Sequence, residues 1–505
     1  MSIMQLRRAL LSVRTSHVFA RSFSASTSFD APLRRVCVVG SGPAGFYATK
    51  YLLKEYAGAQ VDMLEALPTP FGLVRSGVAP DHPEVKSVMN DFNMVAADTR
   101  FRFLGNVRVG EDVTLAEVQQ HYHAVVLAYG TAGDHKLEVP GENLKGVMSA
   151  RTFVNWYNGH PDFRDLELDL KQMETAVIIG QGNVAVDCAR ILTKNVDQLA
   201  TTDIAAHAVD VLRNSSMKKV YLVGRRGSAQ AAFTIKEIRE LTKLDDVACI
   251  VDPADLNCSM TFASEQEIKE QRARKRMNDL LGKAADQFEQ TGGAKRVVQI
   301  KFLRLPTKIV ADEKDPTRVG AIRLEKMKLE GEPNRQRAVG TGKFDDIPCN
   351  LVLRSIGYKA LPLEAGMPFD KSRHVISNEQ GRVVTTLGNG EKKTMVGMYC
   401  TGWVKRGPSG IIGTNIIDAR ETVGCIVEDF ATGSFLHSEH SADGKLGGLE
   451  AVEELIKKRN PDKQLVRWAD YERLDAEEKC RGERVGKSRE KVTSVTDMLK
   501  IAKSI

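Results

Sequence analysis

The run Val36–Val39, followed at once by Gly40, Gly42 and Gly45, most narrows what this chain can fold into. V-C-V-V predicts a buried strand, and G-x-G-x-x-G predicts a tight turn opening directly into a helix. Glycines are needed there because the backbone must close on a pyrophosphate, which then sits at the positive helix N-terminus. A second strand, Val61 to Leu64, ends in Glu65, 20 residues past Gly45. That is where the fingerprint requires a carboxylate for a ribose hydroxyl. The spacing predicts a dinucleotide site on an α/β unit, with Gly40, Gly42, Gly45 and Glu65 as its ligands.

The pattern recurs. A-V-I-I-G-Q-G-N-V-A-V-D-C-A-R at 176–190 places Gly180, Gly182 and Ala185 in G-x-G-x-x-A, again between strand and helix. About 35 residues separate this motif from the next strand, Lys219 to Val223, so helix and an insertion fill the gap. That strand ends in Gly224-Arg225-Arg226 rather than in an acid. A carboxylate would repel a 2′-phosphate, whereas two guanidinium groups hold it. One charged hydrogen bond contributes about 1.5–3 kcal/mol, which favours NADP over NAD by roughly tenfold or more. Two buried strands end in glycine turns, one at Gly130 and one at Gly357, and are read as the crossings between the two units. The expected fold is α/β with two Rossmann-like dinucleotide-binding domains, the NADP domain inserted into the FAD domain. Residues 31–134 and 366–505 would form the FAD domain and its tail, and residues 135–365 the NADP domain.

Residues 1–30 carry four arginines (Arg7, Arg8, Arg14, Arg21), many serines and one acid, Asp30. Leu6, Leu10 and Val13 would share one helical face. This composition predicts a mitochondrial presequence, cleaved within 21–30. The formal charge of the whole chain is +7, too mild to suggest nucleic acid as a partner. No apolar run reaches the roughly 18 residues of a membrane span. Eight cysteines are scattered without a C-x-x-C, which excludes zinc ribbons and a redox-active dithiol. Cys37 and Cys188 read as small core residues. His121 and His123 have no partner at metal spacing, and no metal site is expected.

Four strings carry a more specific likeness. They are P-T-P-F-G-L-V-R-S-G-V-A-P-D-H-P-E-V-K at 68–86, F-V-N-W-Y-N-G-H-P at 153–161, M-Y-C-T-G-W-V-K-R-G-P-S-G-I-I-G-T-N-I-I-D-A at 398–419, and L-V-R-W-A-D-Y-E-R-L-D-A-E-E at 465–478. Together they resemble the mitochondrial ferredoxin–NADP reductases, the adrenodoxin reductase family. The likeness spans about 35–500, with small departures at Ser228 and Ser488, where that family commonly has proline. It implies an enzyme in which NADPH gives a hydride to FAD and electrons pass singly to an acidic mitochondrial [2Fe–2S] ferredoxin. The enzyme would work in the matrix or at the inner-membrane surface.

The resemblance also implies site residues. Pro43, Ala44, Leu73, Val109, Trp403, Gly410, Ile411 and Ile412 would join the FAD site, the Pro-rich stretch 66–86 forming a stiff irregular loop under the ring. Gln181, Asn183, Val184, Glu237 and Gly410 would meet NADP. His82 and Asp187 would stand at the ring edge, although loop capping and a helix N-terminal carboxylate are the ordinary readings of each. Asn415 would cap its helix. Arg239, Arg272 and Arg276 would meet the ferredoxin, with residues 264–280 as one charged helix on which Lys269, Arg272 and Arg276 form a stripe. The aromatic trio Phe153, Trp156 and Tyr157 reads as core between domains. Two other classes share features: an NADPH flavoenzyme related to the glutamate synthase small subunit, disfavoured because its N-terminal iron–sulfur cysteines are missing, and a non-catalytic redox-sensing module, disfavoured by an intact second fingerprint.

Overall fold

A computed structural model describes residues 31–289, 293–437 and 446–504. The expected presequence, 1–30, lies outside the described residues.

Two parallel sheets organise the chain. The first has the order Asn378–Glu379, Arg382–Thr386, Lys392–Cys400, Ala124–Leu127, Arg34–Val39, Ala59–Glu65, Phe101–Gly105. Its last five members run parallel, and the edge pair from the C-terminal third is antiparallel. The second sheet is parallel throughout: Val147–Ser149, Leu351–Arg354, Thr175–Ile179, Lys219–Val223, Arg296–Lys301, Val247–Val251. The chain leaves the first sheet after Ala124–Leu127 and returns to it at Lys392–Cys400, so one nucleotide-binding unit is inserted into the other. The outgoing strand Gly133–Asp134 and the incoming strand Tyr358–Lys359 pair antiparallel, giving a two-stranded link between the units.

Alternation along the strands explains why both faces of each sheet are covered. Successive side chains point to opposite faces, and here both sets are apolar, as parallel strands require. Val36, Val38, Val61 and Met63 join one core, while Cys37, Val39, Leu64 and Leu104 join the other. In the second sheet Ile178 and Leu222 face a helical layer, and Val177, Ile179 and Val223 face the opposite side. That opposite side is covered by the antiparallel strands Arg304–Ala311, Val319–Glu330 and Arg337–Pro348, through Ile309, Ile322, Leu324 and Ile347. Phe153, Trp156 and Tyr157 stand on the helix Ala150–Tyr157 and pack into the helical core of the second sheet, rather than into a separate layer between the units.

The Pro-rich stretch is less irregular than expected. It contains two single helical turns, Leu73–Ser76 and Pro83–Lys86, the latter started by a proline at its first position, where a missing N–H costs nothing. Its apolar residues are inside. Phe71 packs its ring with Phe46, Phe92, Trp468 and Tyr471, centroids 5.4–6.1 Å apart. Phe71 holds φ at +82°, a strained value for a residue with a side chain. Two further expectations change. Residues 262–286 form two helices, Phe262–Glu270 and Arg272–Asp286, because Gln271 is extended (φ −121°, ψ 104°), so Lys269 does not share a stripe with Arg272 and Arg276. Phe101 to Val109 reads as strand-like from its residues alone, but the strand ends at Gly105, and Val109 instead bridges to Val113.

Replacing Phe71 separates ring packing from backbone strain. Phe71→Ala should lose about 3–5 kcal/mol while keeping the positive-φ penalty of about 1–2 kcal/mol. Phe71→Gly loses the same ring but sheds that penalty. Thermal melts followed by circular dichroism should show both variants melting below the parent, with Phe71→Gly no lower than Phe71→Ala. The usual order, glycine clearly the worse, would show that the backbone there is unstrained.

Candidate functional site

The first cradle forms where three segments meet. Gly40 donates its N–H to Leu64 O (2.8 Å) and takes φ +106°, turning the chain from the strand Arg34–Val39 into the helix Pro43–Glu55. A Cβ on Gly45 would lie 2.1 Å from Gly40 O, so helix and turn approach as closely as backbone allows. Phe71 N–H donates to Ser41 O (3.0 Å), and a Cβ on Gly72 would lie 3.2 Å from Gly42 Cα, which brings Leu73 alongside. From the C-terminal third, a Cβ on Gly402 would lie 2.4 Å from that of Ala44. A Cβ on Gly42 would meet nothing within 4 Å, so the turn faces open space.

Glu65 stands at the rim. Its Oε2 accepts from Ser41 N–H (3.0 Å) and Oγ (2.6 Å), and Oε1 accepts from Leu67 N–H (3.1 Å). An ionised carboxylate offers about four acceptor positions, so one remains for a sugar hydroxyl. The buried Thr401 Oγ1 and Thr131 Oγ1, each just beyond a central strand, have no protein partner. An open glycine turn, an oriented carboxylate and orphaned buried hydroxyls fit a flavin dinucleotide.

The turn after Cys400 is fixed by Asp418. Its carboxylate accepts from Gly402 N–H and from Arg406 Nη1 (2.7 Å) and pairs with Lys405 Nζ (2.9 Å). Asn415 is not the cap, because Gly413 holds that position. Its amide instead donates to Ile412 O (3.0 Å) and accepts from Arg406 Nη2 (3.1 Å), bracing the turn that carries Gly410, Ile411 and Ile412. Ile411 is exposed, and Trp403 stacks obliquely on Tyr358, 5.8 Å away.

The second cradle repeats the first with opposite charge. Gly180 takes φ +130° and donates to Val223 O (2.8 Å), which sets its turn beside Gly224. A Cβ on Gly182 would again meet nothing within 4 Å. Gln181 and Asn183 brace the turn, Gln181 Nε2 donating to Lys301 O (3.1 Å) and Asn183 Oδ1 accepting from Thr234 N–H (2.8 Å), with Val184 next along the helix. Arg225 and Arg226 follow Gly224 at this rim, exposed and without an ion pair among the described residues. An open turn with two free guanidinium groups at its edge fits a phosphorylated dinucleotide.

Between the cradles lies a buried charge network that the sequence did not announce. Arg190, 1% exposed, donates through Nε and Nη2 to Asp81 (2.9 and 3.1 Å), through Nη2 to Asp187 (2.7 Å) and through Nη1 to Glu237 (3.3 Å). Lys194 also pairs with Asp81 (2.9 Å). Burial pushes the Asp81 carboxyl up, but Arg190 and Lys194 outweigh it and hold it well below the usual range. Asp187 moves the other way, burial raising it more than Arg190 lowers it, and burial with the nearby Asp187 charge raises Glu237. His82 starts the helical turn Pro83–Lys86 but makes no capping bond; its Nε2 lies 2.8 Å from Glu240 Oε2. Asp187 sits beyond the first turn of the helix Asn183–Thr193. Neither ordinary reading describes these two residues. The signal for Arg190 was present: a guanidinium one turn after Asp187, among Cys188, Ala189, Ile191 and Leu192.

The basic residues named for docking are exposed. Arg239 lies on the helix Ile235–Leu241, which shares the core of Ile238 and Leu281 with the helix carrying Arg272 and Arg276. Arg274, between the latter two, turns inward to the buried Glu267 (2.7 Å).

Residues 34–242 match the family model described as pyridine nucleotide-disulphide oxidoreductase. A mitochondrial NADPH:adrenodoxin oxidoreductase of Arabidopsis thaliana is 46% identical over 489 residues, 96% of this chain and 98% of that protein. Its Homo sapiens counterpart is 44% identical over 487 residues, 95% and 94% of the two chains. The solved structure of Mycobacterium tuberculosis FprA in complex with NADPH superposes with a TM-score of 0.84 at 40% identity, over 94% of this chain and 100% of that one. With such identity along nearly the whole length of both chains, this protein belongs to the NADPH:adrenodoxin oxidoreductase family.

Proposed function

We propose that the chain draws electrons from NADPH and delivers them to an acidic [2Fe–2S] ferredoxin in the mitochondrial matrix. The observation that carries this is the pair of open dinucleotide cradles set against one another, one rimmed by Glu65 and the other by Arg225 and Arg226. The protein is an FAD-dependent NADPH:ferredoxin oxidoreductase. When bound, FAD supplies the conversion of a two-electron hydride into single electrons.

The chain's own residues bind, orient and exclude. Gly40, Gly42, Pro43, Ala44 and Gly45 cradle the flavin pyrophosphate, and Glu65 takes its ribose. Leu73, Val109, Trp403, Gly410, Ile411 and Ile412 wall the remainder. Gly180 to Val184 cradle the NADP pyrophosphate, and Arg225 with Arg226 hold the 2′-phosphate. Glu237 meets the nicotinamide end, near His82 and Asp187 at the seam between the cradles. Arg239, Arg272 and Arg276 attract the ferredoxin, and such steering weakens with salt. Among the described residues no helix is long and apolar enough to cross a membrane.

The purified chain should be yellow, and its NADPH-dependent reduction of cytochrome c should require an added mitochondrial-type [2Fe–2S] ferredoxin. Oxidation of NADPH that ignores the ferredoxin would place the acceptor elsewhere. Arg225→Ala with Arg226→Ala should narrow the NADPH/NADH ratio of kcat/KM by tenfold or more, each lost charged hydrogen bond contributing about 1.5–3 kcal/mol. An unchanged ratio would sink the 2′-phosphate assignment. Arg272→Ala with Arg276→Ala should slow ferredoxin reduction at low ionic strength and leave reduction of ferricyanide intact; a parallel fall of both rates would mark these arginines as structural.

A further inference from the structure

His82, Glu237 and Glu240 bring one imidazole nitrogen and two carboxylate oxygens within 4.8 Å of one another. They come from both sides of the seam, His82 from the Pro-rich loop and the two acids from the helix Ile235–Leu241. Three apart on a helix, Glu237 and Glu240 share a face. One nitrogen and two carboxylate oxygens make a three-ligand set of the kind that holds a divalent transition metal, whose bonds to such donors are about 2.0–2.2 Å.

The surrounding charge favours a cation. Among the described residues, Asp81, Glu84, Asp187, Glu237 and Glu240 pair, apart from His82 itself, with Arg190, Lys194 and Lys236 alone, leaving carboxylates in excess at the seam. The cations present do not close the site. Arg190 would release its 3.3 Å contact with Glu237 and its 3.9 Å contact with Glu240, and keep its shorter bonds to Asp81 and Asp187. Lys236 lies 3.8 Å from the other oxygen of Glu240 and is held by Glu84 at 2.9 Å. Glu240 is also partly exposed, which gives an ion a way in.

We propose that His82, Glu237 and Glu240 form an inhibitory site for a divalent transition metal such as Zn²⁺, closed across the two nucleotide units. A metal there occupies Glu237 and ties the loop to the helix, so it competes with NADPH; that consequence rests on placing Glu237 at the nicotinamide end.

The test uses the full-length, FAD-loaded protein and zinc chloride, with binding read by competition against a chromophoric chelator in the absence of NADPH. One zinc per chain is expected. Glu240→Gln should bind about tenfold more weakly or worse, since even outer-shell losses cost that much. Cys258→Ser with Cys480→Ser, which removes the thiols that are not buried, should bind as the parent does. Zinc should inhibit ferricyanide reduction, each rate compared with the same protein free of zinc, and raise the apparent KM for NADPH. Equal affinity in the parent and Glu240→Gln, or binding lost in the cysteine variant, would overturn the site. Binding that needs Glu240 but does not compete with NADPH would support the site and overturn the placement of Glu237.

Discussion

The buried arginine at the seam, Arg190, is the contact on which the relative placement of the two nucleotide units depends. It stands on the helix of the second fingerprint and reaches Asp81, on the loop that leaves the first. Taking a guanidinium out of water is costly, and a buried pair is often no more stabilising than a well-packed apolar contact. The value of this pair is in geometry. Removing one partner strands a buried charge, at a cost of about 3–5 kcal/mol, so arrangements in which Asp81 and Arg190 separate are strongly disfavoured. An apolar seam would tolerate sliding; a fork donating two hydrogen bonds to one carboxylate does not.

The same principle extends along the Pro-rich stretch. Arg75 pairs with the fully buried Glu478 of the tail, which also accepts from Arg489 and from Val492 N–H. Lys86 donates to Asp203 of the second unit (2.6 and 2.7 Å), and Lys491 of the tail shares that carboxylate (3.1 Å). Phe71 meanwhile anchors the stretch in the aromatic core beside Trp468. One loop is therefore held by the first fingerprint, by the second unit and by the C-terminal tail at once. A segment constrained from three sides can keep a strained φ at Phe71, because no single release relaxes it.

How much of this could be read in advance follows from the range of each requirement. The fingerprints were legible because their demands are local: Gly40 needs positive φ, Gly45 must lie against Gly40 O, and both are satisfied within six residues. The insertion was legible from paired glycine turns at Gly130 and Gly357. The pairing of Arg190 with Asp81 was not, because it spans 109 residues: the apolar neighbours of Arg190 hint at its burial but nothing local names its partner. The break at Gln271 carries no proline or glycine to mark it; it follows from packing, which turns Arg274 back to Glu267. Asn415 looked like a cap because asparagine favours caps, yet its side chain is engaged by Arg406. Specific side-chain partnerships, rather than propensity, decided each difference.

The two cradles show why one backbone solution serves two ligands. Both present a glycine turn to open space and both place the next strand's end beside it, so each offers a pyrophosphate the same backbone. Discrimination is left to whatever follows that strand. Glu65 is already fastened by Ser41 and Leu67, as suits an acceptor that must be aimed at a neutral hydroxyl. The guanidinium groups of Arg225 and Arg226 are fastened to nothing among the described residues. A dianionic phosphate attracts cations over several ångströms and from many directions, so its ligands gain from freedom to converge, whereas a hydroxyl rewards only an acceptor already in line. The pre-bound carboxylate and the unbound guanidinium pair thus suit interactions of different range, the one a ribose hydroxyl and the other a phosphate, as the proposed assignment of the two cradles requires.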